Sequence, residues 1–329
     1  MISYILQRLG QALLVLVVMT AVAFAMFTYL GDPLVAILGI DSTPDQRAQL
    51  RAQLGLDRSV LVQFARYLSR LLSGDFGISY RLGRPVDTIL VERLPATVEL
   101  AAAGMLLALI IGIPAGIYTA LHRRSTTSQA MLGASLIGIS LPSFFMGLLL
   151  IWIFSVTLGW LPSFGRGDTV AIGWWTTGLL TTSGLKSLIM PALTIAVFQI
   201  AMIMRLVRAE MLEVLRADFI RFARARGLGD RAIYFRHALR NTLVPVITIV
   251  GLQFGSLIAF AVITESVFQW PGMGLLFLQS VAAADVAMMS AYLILIALLF
   301  VAINLVVDLL YYLIDPRLRL EPSAAGVGA

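Results

Sequence analysis

Six stretches of this chain carry no charged residue over a length that can cross a membrane, or nearly so: 12–30, 100–121, 130–158, 187–204, 242–264 and 286–307. Crossing roughly 30 Å of hydrocarbon at about 1.5 Å of rise per residue takes about 20 apolar residues in a helix. The pattern therefore predicts an all-α membrane protein with six transmembrane helices. Pro114, Pro142, Pro191 and Pro245 fall in or at the ends of these runs and predict kinks, because neighbouring helices can satisfy the carbonyls that a proline frees. The first run is followed by "TYLGDPL" rather than by small residues in cleavage-site spacing, so it is expected to stay as a helix. No period of 20 to 50 residues repeats and no linker divides the chain, so residues 1–329 are expected to form a single membrane domain.

Composition agrees with the pattern. Of the 329 residues 59% are hydrophobic and only 13% charged, and the mean hydropathy is +0.92, which a water-soluble globule of this size would not tolerate. There is no cysteine, which excludes disulfides, thiolate nucleophiles and zinc-cysteine or iron-sulfur sites. The only histidines, His122 and His237, are far apart and sit beside arginines, so they read as loop residues rather than metal or haem ligands.

The net charge is +6, yet the basic residues stand in short loops between apolar runs, which is how a membrane protein sets its orientation and not how one binds nucleic acid. With the N-terminus inside, the inner segments hold Arg8, Arg123, Arg124, the nine arginines from Arg205 to Arg240, Arg317 and Arg319. The short outer loops hold Arg166 and Lys186. Both termini are therefore expected in the cytoplasm, with residues 31–99 as a long outer segment and 205–241 as an inner loop.

That inner loop has structure of its own. In "AEMLEVLRADFIRFARARG" the residues Leu212, Leu215, Phe219 and Phe222 recur at helical spacing, with Arg216, Arg224 and Arg226 between them. The helix is expected to stop near Gly227, and Asp230 is placed to cap a second helix through "RAIYFRHALRN". A loop that only fixed topology would need neither the bend nor the aromatic stripe.

The stretch "ADFIRFARARGLGDRAIYFRHALRNTLVPVI" resembles the EAA loop of the inner-membrane permeases of binding-protein-dependent ABC importers, in the dipeptide, oligopeptide and nickel branch. Where the general pattern has Glu-Ala-Ala before a glycine, this chain has Arg221, Phe222 and Ala223 before Gly227, and the later Leu-Pro pair reads Leu239-Arg240, with the proline at Pro245. These departures are the habit of the peptide branch. Residues 54–101, "ESVFQWPGMGLL" at 265–276 and "DPRLR" at 315–319 are similar to the same branch, in the same order. The resemblance implies a type I ABC importer transmembrane domain in a bacterial inner membrane. It also implies a homologous second permease subunit as partner in a heterodimer, two separate ATP-binding subunits that hold ATP and magnesium, and an extracytoplasmic substrate-binding protein. Ala217, Phe219, Arg221, Phe222, Ala223, Arg224, Gly227 and Asp230 would then form the ATPase-coupling site. In that arrangement Phe219 and Phe222 anchor the contact, the arginines set its electrostatics, and Gly227 with Asp230 fixes the bend. Peptide is the expected cargo, with nickel chelate, glutathione or another small solute as alternatives. The outer segment 31–99 would either dock the binding protein or cap the pore.

The residues also bear on the energy source. The only lysine, Lys186, stands in "SGLKS", which is not a phosphate-binding loop, so no ATPase and no bound cofactor is expected in this chain. Ion-driven carriers place carboxylates or histidines in mid-membrane. Here Glu99, Glu265 and Asp308 are expected only at span boundaries. An intramembrane enzyme would need a paired nucleophile and base or an H-E-x-x-H motif, which the chain lacks, and a passive channel leaves the inner loop unexplained. Gly104, Gly112, Gly116, Gly133 and Gly138 are expected to allow close helix packing. Phe144, Phe145, Met146 and Trp152 fit a passage lining and a lipid-facing surface equally well.

Overall fold

The computed structural model describes residues 2–29, 43–46, 48–49, 57–79 and 81–314. The "DPRLR" stretch and much of the outer segment before 57 lie outside the described residues. Helix α1 spans Ile2–Tyr29, α2 Val60–Leu72, α3 Val86–Leu121, α4 Thr126–Ser140 and α5 Ser143–Leu150, the last continuing as a wider π-turn over Ile151–Thr157. A short antiparallel hairpin of β1 (Val170–Ile172) and β2 (Trp175–Thr177) precedes α6 (Thr182–Val214). Then come α7 (Asp218–Ala225), α8 (Leu239–Phe260), α9 (Val262–Val267), α10 (Met273–Ala282) and α11 (Val286–Ile314).

Among the described residues five helical segments are long and apolar enough to cross a membrane: Arg8–Met26, Val86–Leu121, Thr182–Val214, Asp230–Val267 and Val286–Leu309. The expected third span is not a single rod. It is α4 and α5, bent by 106° at Leu141 and Pro142. The cause is local: a proline disfavours the helical conformation of the residue before it, and Leu141 is extended at φ −81° and ψ 129°. Pro114, Pro191 and Pro245 by contrast lie inside continuous helices. Glu99 and Glu265, the carboxylates expected at span boundaries, are both helical. The second membrane helix begins at Val86 rather than at residue 100, so Glu99 lies inside it. Glu265 is likewise helical and fully buried. Glu99 is ion-paired and Glu265 accepts hydrogen bonds, as described below.

Small residues set the packing. A Cβ added to Gly104 would come within 2.8 Å of Ile195, one on Gly112 within 3.1 Å of Ile203, and one on Gly116 within 2.6 Å of Val207. The contacts advance together along both chains, so α3 and α6 lie side by side and parallel, their backbones brought close by missing side chains. Gly138 packs on Val197 in the same way, whereas Gly133 faces open space and has no such role. Gly251 meets Val307 and Gly255 meets Phe300, so α8 and α11 are antiparallel. The Ser290 hydroxyl donates to Ala23 O at 3.1 Å and Arg8 pairs with Asp308 at 3.1 Å, which makes α1 antiparallel to α11. It follows that the bundle has two distinct ends. The start of α1, the end of α11 and the 215–230 loop share one, here the loop end; α2 and the β-hairpin share the other, the hairpin end.

Candidate functional site

At the loop end, α6 stops by tightening: Arg216 N donates to Glu213 O and Ala217 N to Val214 O, each three residues back. The chain turns at Ala217, extended at ψ 149°, and α7 begins at Asp218, whose carboxylate suits the positive end of the helix, as Arg224 suits the other. One face of α7 is buried, with Ile220 at 0% and Ala223 at 7% exposure in a cluster with Val207, Met211, Ile233 and Ala238. The adjoining face carries Phe219 and Phe222, exposed at 45% and 64%. The Arg226 guanidinium sits 5.8 Å from the Phe222 ring, and Arg221 reaches Asp218 at 3.4 Å.

The helix ends at Ala225 in a Schellman arrangement: Gly227 N donates to Arg224 O at 2.9 Å and Leu228 N to Ala223 O at 3.3 Å. Gly227 has φ +77°, a conformation that costs any side-chain-bearing residue energy although nothing stands within 4 Å of the missing Cβ. Two sequence expectations fail here, the Asp230 cap and the unbroken stripe. Asp230 does not cap a helix with its side chain; Gly229 occupies the cap position and Asp230 is the first helical residue. The second helix is present, through Asp230–Ala232 and a π-turn over Ile233–Ala238, and it runs straight into α8. The stripe joining Leu212 and Leu215 to Phe219 and Phe222 is broken by the turn at 215–217, so Leu212 lies on α6, Leu215 in the turn, and the two phenylalanines on α7.

The hairpin end holds a polar cluster that sequence reasoning missed. Arg166, in the loop before β1, pairs with Glu99 of α3 at 2.5 Å, with both side chains under 7% exposed. Glu99 also accepts from Trp175 Nε1 at 3.2 Å and Gly178 N at 3.4 Å, while Arg166 donates to Thr176 O at 2.6 Å and to Thr176 Oγ1 at 3.1 Å. The guanidinium lies 5.9 Å from the ring of Trp270, whose indole nitrogen donates to Ala96 O at 2.9 Å. Beside it, Glu265 accepts from Thr97 Oγ1 at 2.6 Å and from Leu275 N at 2.9 Å, and the same Thr97 oxygen accepts from Met273 N. A Cβ on Gly272 would collide with that carboxylate. The "ESVFQWPGMGLL" stretch thus folds back over the start of α3, with its one acid fully used. Asp285 similarly accepts from the Ser79 hydroxyl and from Met288 N.

Residues 112–320 match the family described as binding-protein-dependent transport system inner membrane component, and residues 1–101 match the N-terminal family of the same membrane components. The chain belongs to this family. The dipeptide transport system permease protein DppB of Alkalihalophilus pseudofirmus is 38% identical over 97% of this chain and 100% of the relative. The permease protein of the same name from Escherichia coli K12 is 35% identical, covering 97% of this chain and 99% of its own length. The di/tripeptide transport system permease protein DppB of Pseudomonas aeruginosa is 38% identical over 97% of this chain. Among solved structures, an inward-facing form of the MetNI methionine ABC transporter matches with a TM-score of 0.54 at 18% identity, covering 69% of this chain and 96% of that one. At that identity the likeness speaks for the fold alone. The family is one of multi-pass inner-membrane permeases, and α7 falls inside the matched range 112–320.

Proposed function

We propose that the chain is one half of the membrane passage of a peptide importer, driven by ATP-binding subunits that dock on α7. The observation that carries this reading is the two-sidedness of α7: Ile220 and Ala223 fasten it to the bundle, while Phe219 and Phe222 remain uncovered. Aromatic anchors that enter a pocket on a partner commonly carry most of an interface's energy, with surrounding charges steering the encounter. The near-complete match to dipeptide permeases supports peptide as cargo.

In this reading the loop end faces the cytoplasm, where the excess of arginines belongs. ATP and magnesium bind to the ATPase subunits and not to this chain. A symmetric ATPase pair offers two docking grooves, and this chain supplies one α7, so a second, homologous permease subunit supplies the other. A substrate-binding protein delivers cargo at the hairpin end. Closure of the ATPases pushes α7 as a rigid body, and its buried face passes the movement to α3, α6 and α8, biasing the passage between inward-open and outward-open states.

The test is Phe222→Asp in the assembled complex, reconstituted in liposomes with ATP and a labelled dipeptide. Because Phe222 is exposed, the melting temperature of the chain should not move, while uptake per ATP hydrolysed should fall by about tenfold or more. Wild-type coupling in this variant would reject α7 as the point of attachment.

A further inference from the structure

A cavity of about 390 Å³ opens where α4 breaks from α5, walled on its other sides by α6 and α8. That is within the range of about 300 to 1,000 Å³ in which proteins hold small ligands. No charged side chain lines it; its polar groups come from Ser143, Thr194, Gln199, Gln253, Ser256 and Thr264. Gln199, close to the middle of α6, is only 6% exposed, and its Oε1 finds no hydrogen-bond partner. An orphaned amide oxygen in mid-span costs stability, and a chain retains such a cost where function needs it.

The rest of the cavity has matching spare capacity. The Thr194 hydroxyl donates to Met190 O and that of Ser256 to Leu252 O, so both keep lone pairs for an incoming donor. The amide nitrogen of Gln253 is spent on the sulfur of Met202, a weak acceptor. On the opposite wall α5 starts at Ser143 with no side-chain cap; Phe145 N and Met146 N donate to Pro142 O, which leaves the N–H groups of Ser143 and Phe144 without an intrahelical acceptor. The wall at Gln199 thus asks for a donor, and the helix start asks for an acceptor.

We propose that this cavity is the chain's own contact site for cargo in transit, and that it takes a main-chain amide of a peptide, its N–H to Gln199 and its carbonyl to the start of α5. The inference rests on the peptide reading above and adds a rule of selection. With no counter-ion in the lining, the site reads what all peptides share and is indifferent to the charge of their side chains.

The experiment uses the complete transporter in liposomes, with alanylalanine, glutamylglutamate and lysyllysine as cargo. Gln199→Leu removes the hydrogen-bonding group without enlarging the cavity, so it should cut uptake of all three by a similar factor, about tenfold. Its melting temperature should stay level or rise, because a buried unpaired group has been removed. Gln199→Lys should split the three, with lysyllysine falling well below glutamylglutamate. Wild-type uptake by Gln199→Leu would overturn the site while leaving the peptide reading intact. Loss of the second permease subunit on purification of Gln199→Leu would also overturn it, since the cavity would then belong to the interface between subunits. A wild-type complex that moves none of the three overturns the peptide reading itself, and the site with it.

Discussion

Two arginine–carboxylate pairs stand at opposite ends of this bundle and share little beyond their chemistry. At the hairpin end Arg166 and Glu99 meet at 2.5 Å with side chains 6% and 5% exposed; at the loop end Arg221 and Asp218 meet at 3.4 Å with side chains 76% and 95% exposed. The first joins a loop to a helix 67 residues away, and the carboxylate is further enclosed by Trp175 and the Gly178 amide. The second links neighbours on one turn of α7. Water competes for the second pair and is excluded from the first, so removing a partner has opposite consequences in the two places. The difference separates architecture from contact surface. The Arg166–Glu99 pair is spent on the fold itself, whereas the Arg221–Asp218 pair on α7 stays open to water.

The largest effect is therefore expected at the buried pair. Arg166→Met strands the Glu99 carboxylate among Trp175, Gly178 and the start of α3, and should cost about 3–5 kcal/mol. The purified complex should melt at a clearly lower temperature and accumulate less in membranes. Adding Glu99→Leu should recover most of the loss, because two apolar side chains in that position leave no charge behind. Equal melting of Arg166→Met and wild type would mean that water reaches the cluster, and the contrast between the two ends would lapse.

A smaller effect belongs to the bend that presents α7. Gly227 holds φ +77° in open space, so Gly227→Ala meets no collision and pays only for the left-handed backbone, about 1 kcal/mol. Gly227→Asn should recover part of that, since asparagine tolerates this conformation. Thermal melting would measure both. If the two variants match, the glycine is present for some reason other than its backbone.

Much of this arrangement could be read from residues in a row. The charge-free runs located the helices, Pro142 marked the bend of 106°, and the glycine at 227 marked the stop of α7 two residues earlier. The contacts that assemble the hairpin end were out of reach because they depend on which helices lie side by side. Nothing near Glu99 announces Arg166, and nothing near Thr97 announces Glu265; these contacts join α3 to a loop 67 residues on and to α9. The turn at 215–217 was invisible for a different reason. Arg216 and Ala217 both favour helix, and the break is imposed by the burial of Ile220 and Ala223 against Ile233 and Ala238 rather than by local propensity. Gln199 escaped notice because a neutral amide in an apolar run carries no signal until its oxygen is found without a partner.

The smallest effect on the fold, and the sharpest test of the comparison, lies at Arg221. Its pair with Asp218 is an exposed i,i+3 contact, worth at most about 0.5 kcal/mol and screened by salt. Arg221→Glu should therefore melt with the wild type. If the arginines of α7 steer an acidic rim on the ATPase, the reversal of sign will act elsewhere: uptake coupled to ATP should fall a few-fold at low salt and approach wild type as salt is raised, since rim charges govern encounter more than final affinity. Phe222→Asp offers the control, because loss of an aromatic anchor that docking would bury should persist at every salt concentration. A salt-independent defect in Arg221→Glu would place this arginine inside the docked contact beside Phe222. No defect at any salt would leave Phe219 and Phe222 as the whole of the attachment, with the arginines of the loop serving only to hold it on its side of the membrane.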